Sequence, residues 1–257
     1  MKTMDRKIAA RRQGVTEQRA TARLRIVIGL AVLAIFAAAA FWLIRSPLLE
    51  IQDITITGAE HSTPAASLAR LDVGPGTPTI SVDAGALEAD LLTDPWIADA
   101  AVTVTWPGSV DVVVTEHVPI AVVVAQNGLA QVTLEGKVVS IIGDSAGYPT
   151  IVPAGAGIAR PGGLMSGGAI LGSLKFVSGL PLDLAATTVI IIDDSSQIAA
   201  QVGDYEVRLG RAIDMRSKAA ALIALIDYGV EPGSSIDVTA ARRPAVTNPQ
   251  PEVEGEG

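Results

Sequence analysis

Residues 100–121 read "AAVTVTWPGSVDVVVTEHVPIA", and the fold turns on this stretch. Val102, Val104 and Trp106 alternate with Thr103 and Thr105, a Pro-Gly-Ser turn intervenes, and residues 110–115 return as a second β-branched run. Alternation interrupted by turn residues predicts a β-hairpin. Upstream, Thr63 and Pro64 are placed as the N-cap and first residue of one helix. Ala84, Leu87, Leu91 and Leu92 recur at helical spacing from Asp83, and Asp94-Pro95 closes that second helix. Before both lies a strand over 49–57, ended by Gly58, whose apolar phase slips at Gln52-Asp53 and so predicts a bulge. The order β-α-α-β-β describes a small sheet with two helices over one face.

Ahead of this unit, residues 26–44 are 19 consecutive uncharged residues. At about 1.5 Å of helical rise each they reach roughly 28 Å, enough to cross the hydrocarbon of a bilayer. A cleaved secretory signal has a shorter apolar core and a polar mature start, whereas "FWLIR" follows the small residues here. A buried core helix would show a polar face, and none exists. The flank sets the orientation. Lys2, Arg6, Lys7, Arg11, Arg12, Arg19, Arg23 and Arg25 face only Asp5 and Glu17, so the arm carries +6 and is expected in the cytoplasm. With −8 on the whole chain, the remainder carries −14, which argues against a nucleic-acid partner.

Downstream of the hairpin, Asn127-Gly128 and Glu135-Gly136 are turn signals between apolar runs and predict two further hairpins. A Gly- and Pro-rich connection over 143–163 leads to a helix presenting Ile170, Leu171, Leu174 and Val177, and strands are expected over 187–192, 197–202 and 205–209. Met215, Ala219, Leu222, Ile223 and Ile226 define the apolar face of another helix, with Asp214, Lys218 and Asp227 elsewhere on its wheel and Gly229 just past its end. "SSIDVTA" makes a last strand, and residues 242–257 lose apolar periodicity and gain Pro and Glu, which predicts a disordered tail.

Catalytic signals are weak. Cysteine is absent, which removes disulfides and thiol chemistry. "GDSAG" at 143–147 fits G-x-S-x-G, and an anchored serine hydrolase using Ser145 is the enzymatic alternative. That motif needs a helix directly after the serine, where Tyr148-Pro149 stands, and a partner histidine, while His61 and His117 both precede it. The glycines of "GAGIARPGG" lack the Lys-Ser/Thr of a phosphate loop. Asp193, Asp194 and Asp204 lack calcium-loop spacing and read as a polar turn. No metal, cofactor or catalytic residue is assigned, and the chain is read as no enzyme.

The anchor followed by "ITITGAEH", then "DPWIADAAVTVTWPGSVDVVVTEHVPIA" and "YEVRLG" with its helix, resembles the bacterial cell-division proteins of the FtsQ/DivIB family. Their first extracytoplasmic domain is a POTRA (polypeptide-transport-associated) domain. The family's E-R-x-P-x-A pattern corresponds here to Glu116, His117, Pro119 and Ala121, so His117 departs from the usual Arg. The resemblance implies an α+β protein with a basic cytoplasmic arm over 1–25 and a transmembrane helix over 26–44. A β-α-α-β-β POTRA domain over 45–120 and a mixed or antiparallel β domain with two helices over 121–241 follow, and the tail spans 242–257.

It implies a non-enzymatic scaffold of the septal cell-wall synthase complex in the plasma membrane, concentrated at the division septum. Its partners would be single-span proteins of the FtsB/DivIC and FtsL types. A POTRA-bearing transport component is the other alternative; such proteins carry several such domains and a membrane barrel. Partner contacts are expected on an edge strand formed by Ser235, Ile236, Asp237, Val238, Thr239 and Ala240, with Arg242 and Arg243 beside it and Tyr228 as an aromatic anchor. Trp106, Glu116 and Pro119 are expected at the junction of the two domains, where a residue without an N–H ends a strand and redirects the chain.

Overall fold

The computed structural model describes residues 25–42, 49–145 and 147–248. The basic arm, the last residues of the predicted span and the acidic end of the tail lie outside them. No residue of helix α1 (Arg25–Trp42) is buried. It is long and apolar enough to cross a membrane.

Next come β1 (Asp53–Thr57), α2 (Pro64–Arg70), a 3-10 turn at Thr79–Ser81, α3 (Ala84–Leu91), β2 (Ile97–Thr105) and β3 (Ser109–Glu116), with strand order β1-β3-β2. The β-α-α-β-β order is as expected, although β1 is shorter and β2 starts earlier. Gln52 and Asp53 both donate their N–H to the Gly108 carbonyl, at 2.8 and 3.2 Å. Two successive donors on one acceptor are the irregularity that the phase slip predicts.

The second sheet has nine strands in the order β12-β11-β10-β9-β8-β7-β4-β5-β6. They are β4 (Ala121–Ala125), β5 (Gly128–Val132), β6 (Val138–Ile142), β7 (Thr150–Pro153), β8 (Val189–Ile192), β9 (Ile198–Val202), β10 (Tyr205–Gly210), β11 (Ser235–Asp237) and β12 (Ala245–Thr247). Helices α4 (Gly168–Val177), α5 (Leu182–Ala186) and α6 (Met215–Asp227) complete it. Two short elements, β7 and α5, lie in stretches that read as loop, because four or five residues show too little period to register.

Pleating explains the core. Val123, Ile151, Ile190, Ala200, Val207 and Ile236 point to one face and are buried with Leu174, Met215, Ala219 and Leu222 of α4 and α6. On the other face Ile191 is 57% exposed, and Glu206 and Arg208 are open to solvent. A Cβ on Gly172 would lie 2.5 Å from the Ala212 Cβ, so only glycine lets α4 approach the corner leading into α6.

By internal contacts the chain falls into two units. One comprises described residues up to 55 with 68–85 and 102–112; the other comprises 56–67, 86–101 and 113–257. The first buries Ile51, Leu68, Val73, Val102, Val110 and Val112, and its Thr79 hydroxyl donates to the carbonyls of Leu49 and Pro107. The second contains the nine-stranded sheet and the end of the hairpin that leads into it.

Three expectations need correction. The 235–240 strand is not an edge: β11 pairs in parallel with β10 on one side and antiparallel with β12 on the other. Thus the stretch read as the start of a disordered tail supplies a strand. Three residues flanked by Pro244 and Asn248 carry no readable alternation; their conformation comes from the β11 edge that they pair with. Lys218, placed on the polar side of its helix, is 3% exposed.

Candidate functional site

Two clusters collect the residues singled out in the sequence, and the first is built around Glu116. This last residue of β3 turns its carboxylate toward the loop between β1 and α2. Gly58 starts that loop at φ 86°, and a Cβ there would lie 2.1 Å from the Val114 carbonyl oxygen, so the loop runs tight against β3. Glu116 Oε1 accepts hydrogen bonds from the N–H groups of Glu60, His61 and Ser62 at 2.9, 2.9 and 2.7 Å, and from the Ser62 hydroxyl at 2.6 Å. Oε2 lies 3.0 Å from His61 Nδ1. Burial pushes the carboxyl up, but the hydrogen bonds from Ser62 and His61 outweigh it and hold the pKa at about 2. Glu116 is therefore an ionised structural anchor, its oxygens filled by its own chain.

Trp96, which sequence reasoning passed over, completes this cluster. His61 stacks on it with ring centroids 4.5 Å apart and planes 13° from parallel. Asp94 accepts from Trp96 N–H at 2.9 Å and from Thr63 N–H at 3.2 Å, so "DPW" pins the start of α2 as well as ending α3. The Trp96 carbonyl accepts the His117 N–H at 2.8 Å, and Lys137 Nζ lies 3.0 Å from His117 Nε2. Pro119 is half-buried between β3 and β4. Trp106 does not join them. It is 53% exposed in the turn between β2 and β3, an eight-residue strand away from Glu116.

The second cluster is the C-terminal corner of the large sheet. Ser235, Ile236 and Asp237 form β11, in register with Glu206, Val207 and Arg208 of β10 and with Thr247, Val246 and Ala245 of β12. Val238 is fully buried, and its N–H donates to the Arg208 carbonyl at 3.0 Å. It offers nothing to a partner. Asp237 Oδ1 accepts the Thr239 N–H at 2.8 Å, and hydrogen bonding from Thr239 holds its carboxyl below the ordinary value. Thr239, Ala240 and Arg242 line a cavity of about 700 Å³ together with Gln197, Arg211 and Lys218, while Arg243 is exposed in the same turn.

Lys218 belongs to the frame of this corner. Its ammonium donates to the carbonyls of Leu209 and Arg211 at 2.6 and 2.8 Å, tying α6 to the end of β10. Burial pushes its pKa down, and Asp214 and Asp237 partly offset that. A lysine among apolar helix positions near a strand's last carbonyls was the available signal. Tyr228 caps the far end of α6 and is 90% exposed.

Ser145 occupies the bend before β7, and its carbonyl accepts the Tyr148 N–H at 2.8 Å. A strand, not a helix, follows it. The Asp193 carboxylate is taken up within the β8–β9 turn by the N–H groups of Ser195 and Gln197 and by the Ser195 hydroxyl.

Comparison with known proteins agrees with this architecture. The family model described as POTRA domain, FtsQ-type, matches residues 49–117. A cell division protein FtsQ from Streptomyces collinus is 28% identical over 235 residues, covering 88% of this chain and 89% of that protein. One from Anaeromyxobacter sp. (strain K) is 28% identical over 206 residues, covering 70% and 69%. One from Streptomyces coelicolor is 33% identical over 117 residues, or 44% of each chain. With an N-terminal apolar helix, an FtsQ-type POTRA domain and a large second sheet in that order, the chain is similar to cell division proteins FtsQ over most of its length.

Proposed function

We propose that this protein is a non-enzymatic, single-pass scaffold of the bacterial division complex. It is held in the plasma membrane by α1 with its N-terminus in the cytoplasm, and enriched at the septum. Its extracytoplasmic β domain engages single-span division proteins of the FtsB/DivIC and FtsL types and so links them to the septal cell-wall synthase. The observation that carries this reading is the strand order, which among the described residues ends on β12. A terminal strand presents a row of N–H and C=O groups that an incoming segment can extend. Beside it the turn 238–244 brings Arg242 to a cavity shared with Arg211, Lys218 and Asp214, a lining with more basic than acidic groups on an ectodomain of opposite net sign. Acidic side chains flanking an added strand fit there.

In this reading Thr239, Ala240, Arg242 and Arg243 border the docking edge, Ser235, Ile236, Asp237 and Val238 support it from beneath, and Tyr228 supplies an exposed aromatic at the end of α6. Glu116 and Pro119 hold the passage from the POTRA domain (45–120) to the β domain (121–241). Ser145 has no catalytic part: β7 follows it, and the two histidines are engaged with Glu116 and Lys137.

Proline substitution tests the edge. Ala245 and Val246 are adjacent in β12, so their N–H groups point in opposite directions, one toward β11 and one outward. The inward-phase proline is expected to lower the melting temperature. The outward-phase proline is expected to leave it unchanged and abolish co-purification with an FtsB/DivIC-type ectodomain. Undiminished binding by a stable outward-phase variant would exclude strand addition at β12.

A further inference from the structure

The chain has two histidines, and both sit in the Glu116 cluster where β3 leads into the β domain. Their surroundings oppose each other. His61 Nδ1 faces the Glu116 carboxylate at 3.0 Å, so a proton added to His61 turns a hydrogen bond into an ion pair. His117 Nε2 faces the Lys137 ammonium at 3.0 Å. An ammonium has only donors, so the contact requires a lone pair on Nε2 and therefore a neutral ring protonated at Nδ1. A second proton would set one cation against another.

We propose that His117 and Lys137 form an acid-sensitive latch between the end of the POTRA hairpin and the β5–β6 turn, closed while His117 is neutral and released by its protonation. The β domain holds its half firmly. Lys137 follows a turn in which Gly136 N–H donates to the Thr133 carbonyl at 2.9 Å, and Thr133 N–H donates to the Lys137 carbonyl at 3.0 Å. Val138 N–H is bound by the Gly163 carbonyl, also at 2.9 Å. On the hairpin side, His117 N–H is committed to the Trp96 carbonyl and the Glu116 carboxylate to residues 60–62. The charged groups acting on His117 are thus Lys137 and Glu135, both from the β5–β6 turn, with Glu116 adjacent in sequence but facing away to His61.

Burial first, then Lys137, pushes the His117 pKa below its ordinary 6.5, and Glu135 opposes them. Because the closed form binds its proton less readily than the open form, closure is favoured above about pH 6.5 and weakens as pH falls through it. The closed-to-open ratio drops by up to about tenfold per pH unit until the closed-state ring titrates as well. The mildly acidic range therefore loosens the contact between His117 and the β5–β6 turn. This stands independently of what docks at β12.

The test uses the full chain in nanodiscs. Two histidines yield two imidazole signals under selective labelling, assigned with His61→Gln and His117→Gln. Since the chain lacks cysteine, spin labels at Asp99→Cys and Asp183→Cys report the distance across the junction. The latch predicts that the distance distribution changes between pH 7.5 and 5.5 with the midpoint of the His117 signal. The change should vanish in His117→Gln, whose neutral amide accepts from Lys137 at every pH, and persist in His61→Gln. Lys137→Gln removes the opposing charge, so it should move the His117 midpoint upward, which a histidine lacking this contact would not show. A pH-independent distribution in the unsubstituted protein, a response surviving His117→Gln, or an unmoved midpoint in Lys137→Gln would each overturn the proposal.

Discussion

Glu116 is the residue on which most local structure converges, and its carboxylate makes a pH-dependent contribution of known sign. Its folded pKa of about 2 lies below the ordinary 4.5. The stabilisation is therefore complete above about pH 4.5 and is lost as pH falls from there toward 2. Glu116→Ala is expected to lower unfolding stability at pH 7 by about 2–3 kcal/mol through lost charge-assisted hydrogen bonds, measured by urea denaturation. Glu116→Gln should flatten the acid limb of the stability profile. Lys218 is comparable at the other corner. Lys218→Ala leaves the carbonyls of Leu209 and Arg211 without their buried donor, and a loss of about 1–3 kcal/mol is expected in the same measurement. Both residues look like surface charge in the sequence. Strand-end Glu and mid-helix Lys are ordinary there, and only the partners that folding brings up show that these two are structural.

At the scale of elements, the informative contrast lies between β11 and β12. "SSIDVTA" has the apolar alternation of a strand and forms one, yet its capacity to recruit a partner depends on its neighbours. Three residues of the tail, Ala245, Val246 and Thr247, cover it and become the edge among the described residues. Shortening the chain after Pro244 is accordingly expected to uncover β11 and lower the melting temperature, whereas shortening after Asn248 should leave it unchanged. Electrostatics should be measurable at the same corner. Arg242→Ala is expected to slow association with an acidic partner segment and reduce its salt dependence, with little effect on melting, because this side chain is exposed. The connection carrying Pro119 is a third element-level feature, and Pro119→Ala should broaden the distance distribution across the junction by freeing φ at that position.

For the whole molecule, the membrane segment and the charge distribution carry the argument. Helix α1 has a mean hydropathy of 2.2 and no buried residue, so deleting residues 25–42 should move the protein from the membrane to the soluble fraction. A reporter active only outside the cytoplasm, fused after Pro244, is expected to be active, and one active only inside to be silent. The reverse result would overturn the orientation inferred from the +6 arm. Depletion of the protein is expected to leave cells elongating without septa, and accumulated precursor proteins would favour a transport role instead.

The sequence by itself determined what is written in local period and composition. The membrane span follows from 19 uncharged residues, the β-α-α-β-β order from the phases around the Pro-Gly-Ser turn, and the meander from Asn127-Gly128 and Glu135-Gly136. These features depend on neighbours a few positions apart, so they survive without knowledge of the rest of the chain. Tertiary structure alone decided the order of the nine strands, the covering of β11, the burial of Lys218 and the meeting of His61, Trp96, Glu116 and His117 with Lys137. Glu116 bonds residues 54 to 56 positions away. Such pairings are made when sheets and loops pack in three dimensions, and no periodicity in the chain records which distant groups will then face one another.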